Sequence, residues 1–149
     1  MTVPRRTGPW SHVEVVRFLE EQRIPLRLAC RTGSGWPLVA SHWYLWRDGC
    51  LWCATQADSK TVRYLRAEPR CGFEVAPDLM PYRGVRGQGR AVIDAAQGEP
   101  VLRALVQRYL DGVDGDFGRW LLARAATEVA IRIEPLRLRS WDFAGRMGR

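Results

Sequence analysis

The chain has almost no lysine. Of its 23 basic residues only Lys60 is lysine, and the other 22 are arginine. Histidine is nearly as scarce, with His12 and His42 alone. No apolar run approaches membrane-spanning length, and the opening MTVPRRTGPW lacks the apolar stretch of a secretory leader. A cytoplasmic protein without a membrane partner is therefore expected. No GxSxG elbow, HExxH pair or glycine-rich phosphate loop is present, and nothing pairs a nucleophile with a base. Ser41 and His42 are adjacent on an expected strand, so their side chains face opposite ways. No catalytic residue of the protein itself can be named, and an enzyme built on this chain would borrow its reactive atoms from a cofactor.

What is present is ordinary for a globular protein. The 149 residues are 46% hydrophobic and 26% charged, which excludes gross disorder and suits one domain spanning 1–149. The net charge of +7 permits nucleic-acid binding. The arginines are scattered, however, and no helix-turn-helix, RNP or zinc-finger pattern occurs, so no nucleic-acid partner is expected. Cys50 and Cys53 have the spacing of a metal or redox pair but sit in a strand-like run. Residues three apart on a strand point to opposite faces and chelate poorly, so no metal site is expected and the four cysteines read as buried thiols.

Ser11-His12-Val13-Glu14 is a capping box and opens an expected helix over 11–22. Alternation marks a strand over 26–31, and a long apolar strand over 36–46 follows. Asp48-Gly49 marks a hairpin turn before a strand over 50–55. A short helix ends at Pro69, and a strand runs over 70–75. Gly87-Gln88-Gly89 suggests a bulge in a strand over 84–93. Pro100 opens a helix whose inner face carries Val101, Leu102, Leu105, Val106, Tyr109 and Leu110. A further helix from Asp116 and an alternating strand over 128–139 complete the pattern. Tight turns between strands indicate antiparallel pairing. The expected architecture is mainly β (α+β): a six-stranded antiparallel split β-barrel with peripheral helices, its core over about 24–143.

Thr55, Ser59 and Lys60 lie where a strand gives way to a helix. Unpaired amides at a helix start, two hydroxyls and one cation are the parts of a phosphate site. A plain helix cap followed by a surface lysine is the simpler reading of the same residues. Trp43, Tyr44, Trp46 and Trp52 could wall a flat ligand or could be core packing.

The order of these features resembles the pyridoxamine 5′-phosphate oxidase-like, FMN-binding split-barrel superfamily. The run from Gly35-Trp36-Pro37 to Trp46-Arg47-Asp48-Gly49 resembles its first hairpin. Thr55-x-x-x-Ser59-Lys60 with Leu65 and Pro69-Arg70 resembles its phosphate-binding strand, helix and strand. Tyr82-Arg83-Gly84-Val85, running on to Gly89 and Ala91, and the closing Ser140-Trp141-Asp142-Phe143 resemble its later strands. The resemblance implies a homodimer with FMN at the subunit interface and hydride transfer to or from a small-molecule substrate. It puts the FMN phosphate on Ser59, Lys60 and the helix N-terminus, Thr55 near the phosphate and ribityl chain, and the flavin ring along the strand around Ser41 and Trp43. It brings Trp141, Arg83 and Arg86 from the partner subunit. The chain stops soon after Trp141, and Ser59-Lys60 stands where true pyridoxamine phosphate oxidases have Ser-Arg-Lys. The resemblance therefore implies a flavin oxidoreductase other than that enzyme. The alternatives on the same fold are a reductase using the deazaflavin F420 and a non-catalytic flavin or haem carrier.

Overall fold

The computed structural model describes residues 3–147. Strands β1 (Arg5–Thr7), β2 (Leu26–Arg31), β3 (Pro37–His42), β4 (Leu45–Arg47), β5 (Cys50–Gln56), β6 (Arg70–Val75), β7 (Arg83–Asp94) and β8 (Glu128–Asp142) form one sheet. Helices α1 (His12–Glu21), α2 (Lys60–Ala67), α3 (Gly98–Leu110) and α4 (Asp116–Leu122) lie around it. The sheet order is β3-β2-β6-β7-β8-β5-β4, with β1 joining β8 in parallel and every other pairing antiparallel. This is the antiparallel split barrel with peripheral helices that the sequence suggests. The strand count is eight rather than six. One added strand is the short β1, and the other arises because the run over 36–46 breaks at Trp43-Tyr44 into β3 and β4.

That break is the split. β3 pairs only with β2 and β4 only with β5, although two residues separate them in the chain. Tyr44 explains the break. Its backbone amide donates to the Tyr109 hydroxyl at 3.1 Å instead of to a neighbouring strand. Its own hydroxyl donates to the carbonyl of Leu19 at 2.7 Å, and the side chain is fully buried. Tyr109 in turn donates to the carbonyl of Ile24 at 2.9 Å. The two tyrosines thus replace ladder hydrogen bonds with tertiary ones, as buried backbone groups require.

Arg108 completes this junction. Helix α1 carries no basic residue in its last turn. Arg108, from α3, donates to the carbonyls of Glu20 (2.8 Å), Leu19 (3.1 Å) and Gln22, with its guanidinium over the rings of Tyr44 and Tyr109. A cation at the negative end of a helix is favourable. At the other end of α1 the capping box forms as the sequence indicates. Ser11 Oγ accepts from the Glu14 amide at 3.2 Å, and Glu14 accepts from the Ser11 amide at 2.6 Å.

The main core lies inside the barrel and under α1, where Val15, Phe18, Leu19, Leu28, Leu51 and Ile133 are buried together. Each such side chain stabilises the fold by about 1.5–3 kcal/mol relative to exposure. Cys50, Trp52 and Ala54 face the opposite side of β5, where Val101 and Leu105 of α3 cover them. All four cysteines are buried, and no disulfide joins them. Asp48 and Gly49 both take positive φ in the hairpin turn, and the ladder slips between Gln88 and Gly89 as a bulge. Among the described residues no helix is long and apolar enough to cross a membrane.

Candidate functional site

The strand-to-helix junction after β5 is firmly seated. The Ala57 amide donates to the carbonyl of Thr127 at 2.9 Å, and the Ser59 amide to that of Gln56 at 3.1 Å. Gln56 is itself held by the Thr127 hydroxyl at 2.5 Å. Ser59 is the N-cap of α2, and its Oγ accepts from the Val62 amide at 3.2 Å. A capping hydroxyl still has its own proton to donate. The amides of Lys60 and Thr61 lie in the first turn, where no intrahelical carbonyl is available.

Lys60 is the informative residue here. It is the first helical residue and exposed, and it forms no hydrogen bond or ion pair with the described residues. The first turn of α2 holds no acid. A lysine there sets its charge against the positive end of the helix, which is mildly unfavourable for folding. The plain cap is therefore real for Ser59 but gives no account of Lys60. Two free amides, the Ser59 hydroxyl and an unneutralised ammonium fit a phosphate dianion. Thr55 lies four residues before Ser59, near the end of β5, opposite Val129.

Ser41 and Trp43 lie at the split. Ser41 is exposed, and its Oγ accepts from Arg27 Nη1 across the β2–β3 pair at 2.9 Å. Trp43 is half-buried and stacks on Tyr109, with ring centroids 4.9 Å apart and planes within 4°. Both border a pocket of about 250 Å³ that α3 and α4 cover. His42 and Glu128 also line it, and Phe117 of α4 stands edge-on to Trp43 at 6.2 Å. Burial pushes the His42 imidazole below its usual pKa and the Glu128 carboxyl above it. Neither residue is marked as a site residue by the sequence. Glu128 carries no local signal beyond opening a strand, and the only chemical neighbour of His42 in the chain is Ser41, on the opposite strand face.

Arg83, Arg86 and Trp141 form a separate group at the far end of the β7–β8 pair. Trp141 faces Gly84 across the ladder, and its ring fills the space where a Cβ on Gly84 would stand, 2.6 Å away. Arg86 lies over the Trp141 ring at 5.2 Å, and Arg83 over Phe18 at 5.8 Å. Within one chain these three residues share no pocket with Ser41, Trp43 or Lys60. Arg86 instead borders a groove of about 690 Å³ on the open sheet face, with Arg5, Arg27, Arg137 and Arg139. Among the described residues no cluster of histidine, cysteine and carboxylate side chains could hold a metal ion.

The solved structures that resemble this fold include the conserved hypothetical protein Rv2991 from Mycobacterium tuberculosis. It is 29% identical, with a TM-score of 0.77, and the match covers 95% of this chain and 90% of that one. An F420 reductase matches at 22% identity and a TM-score of 0.70, covering 87% of this chain and 97% of that one. A FAD-binding protein from Mesorhizobium loti matches at 22% identity and a TM-score of 0.66, covering 88% and 93%. No curated protein matches the chain. The family model described as pyridoxamine 5′-phosphate oxidase matches residues 12–142, which include both the junction at Lys60 and the strands bearing Ser41 and Trp141. The chain belongs to the pyridoxamine 5′-phosphate oxidase family.

Proposed function

We propose that this protein is an FMN-dependent oxidoreductase acting on a small molecule. The observation that carries the reading is the unpaired Lys60 at the start of α2, directly after the N-cap Ser59. The cofactor would supply a ring that accepts and releases hydride. The chain's own residues would bind and orient it. Lys60 is the counter-charge for the phosphate, and Ser59 and Thr55 donate hydroxyl hydrogen bonds to it. The backbone around Ser41 and Trp43 borders the ring, held in place by the Trp43–Tyr109 stack. Fixing the ring against the substrate is the protein's main catalytic contribution in such a site.

The assembly proposed is a homodimer joined through the open sheet face. Val39, on the edge strand β3, is 65% exposed and lines the arginine-rich groove. Arg83, Arg86 and Trp141 lie away from Lys60 within one chain, so each set would serve the cofactor of the other subunit. The names of two structural neighbours, a FAD-binding protein and an F420 reductase, support a flavin-type ligand.

One observation favours F420 as a second reading. The groove places five arginines against the single acid Glu74, which suits the acidic tail of a deazaflavin. The absorption spectrum of the purified protein discriminates the two. A flavin shows two visible bands, whereas F420 shows one dominant band between them. A colourless protein that takes up neither molecule contradicts the proposal.

A further inference from the structure

We propose that the pocket between the split edge of the sheet and helices α3 and α4 binds a small, uncharged aromatic molecule that carries a hydrogen-bond donor. The pocket holds about 250 Å³, room for a single ring with a short substituent. Its walls are mostly apolar, from Ala54 on β5 and Leu102 and Leu105 on α3. Trp43 and Phe117 both line it and meet edge to face, at 80° with ring centroids 6.2 Å apart. Such a pair suits a flat guest. Phe117 is 53% exposed and the neighbouring Trp120 55%, so α4 brings aromatic surface to the pocket mouth without packing it away.

The polar residues of the wall set the chemistry. His42 comes from β3 and Glu128 from β8, strands on opposite sides of the split. His42 Nε2 and Glu128 Oε2 are both shut off from solvent and have no hydrogen-bond partner. Native folds leave few such atoms, and each calls for an explanation. Both atoms lie just behind the pocket wall, and a ligand that draws the two side chains inward completes them. A donor on the ligand satisfies the carboxyl oxygen, and the imidazole takes or gives the second bond. An anionic guest would meet Glu128 with no cation among the lining residues. A cationic guest would need Glu128 ionised, which burial in this wall opposes. Burial also favours the neutral forms of both His42 and Glu128. A neutral guest is what remains.

Ser41 and Trp43 belong to this pocket and to the proposed ring site, so an occupant would lie beside the cofactor. That the occupant is the substrate rests on the flavin reading. That the pocket binds it does not. The test uses the full chain without added cofactor, with phenol, its isostere toluene, and benzoate as probes. Binding is followed by tryptophan fluorescence and by the imidazole resonances of His42. Phenol should bind saturably and shift the His42 signals, with toluene and benzoate at least tenfold weaker. His42→Phe and Glu128→Ala should each weaken phenol at least tenfold, and Leu105→Trp should abolish binding by filling the space. Circular dichroism confirms folding, and His42→Gln replaces His42→Phe where the latter fails to fold. Equal binding of phenol and toluene, phenol binding unaffected by the two polar variants, or no saturable binding by the folded wild type overturns the proposal. An FMN titration on the same sample separates the two claims. FMN uptake without phenol binding refutes the pocket alone, and phenol binding without FMN uptake refutes the flavin reading alone.

Discussion

Lys60→Ala should weaken flavin binding while leaving the fold as stable as before, or slightly more so. The lysine sits at the first helical position of α2, exposed and without a partner, in a turn that holds no acid. One hydrogen bond to a charged group contributes about 1.5–3 kcal/mol. At about 1.36 kcal/mol per tenfold, its loss weakens FMN binding about 10- to 150-fold. Stability should move the other way. Removing a cation from the positive end of a helix relieves about 0.3–1 kcal/mol, and alanine is the better helix former. Lys60→Arg keeps the charge and should retain most of the affinity. The assay is an FMN titration by flavin fluorescence, beside urea unfolding of the same preparations. Undiminished affinity in Lys60→Ala, or a loss of more than about 1 kcal/mol in stability, would refute the reasoning, since either result makes the lysine something other than a phosphate ligand.

Three further outcomes follow from the packing. Arg108→Met should destabilise the protein by about 2–3 kcal/mol in urea unfolding, because it strips a charged donor from three carbonyls at the end of α1. Gly87→Ala should cost about 1–3 kcal/mol by the same measurement. Its Cβ would overlap the carbonyl oxygen of Arg137 and stand 2.6 Å from the Phe73 ring. Glu128→Gln should stabilise the protein at neutral pH. Desolvation raises the folded pKa of Glu128 above its ordinary 4.5. Folding is therefore opposed once the unfolded carboxyl ionises, and the penalty levels off above the folded pKa. The advantage of the variant should vanish below about pH 4.5 and grow as pH rises through that value, read from unfolding free energies across pH.

Features encoded by near neighbours are legible in the amino-acid sequence. The capping box at Ser11 and Glu14, the Asp48-Gly49 turn and the glycine-marked bulge each depend on residues a few positions apart. The break at Trp43-Tyr44 is not legible, because both residues continue an apolar run. What ends the strand is the Tyr109 hydroxyl, which arrives from α3. Strand β1 escapes sequence reasoning for a similar reason, since its three residues pair with Arg137, Leu138 and Arg139 near the other end of the chain. Periodicity turns Leu110 inward, but the residue is 38% exposed. The chain turns to positive φ at the next residue, Asp111, and the inner stripe of α3 ends one turn early.

The site divides in the same way. Lys60 stands out in the sequence as the lone lysine, and the structure supplies the reason to single it out, a helix start with nothing to neutralise it. Trp141 is legible as a residue but not in its setting. Its seat on Gly84 belongs to a cross-strand register that no local pattern encodes. His42 and Glu128 share a pocket only because the barrel folds β3 back beside β8's first residues. Neither has a neighbour in sequence that would mark it.

The measurement that bears most directly on the central claim is an equilibrium titration of the full-length chain with FMN, F420 and FAD in parallel. FMN should bind saturably with one site per chain, more tightly than FAD, and Lys60→Ala should weaken that binding. Failure of all three to bind, or binding that is indifferent to Lys60, would contradict it.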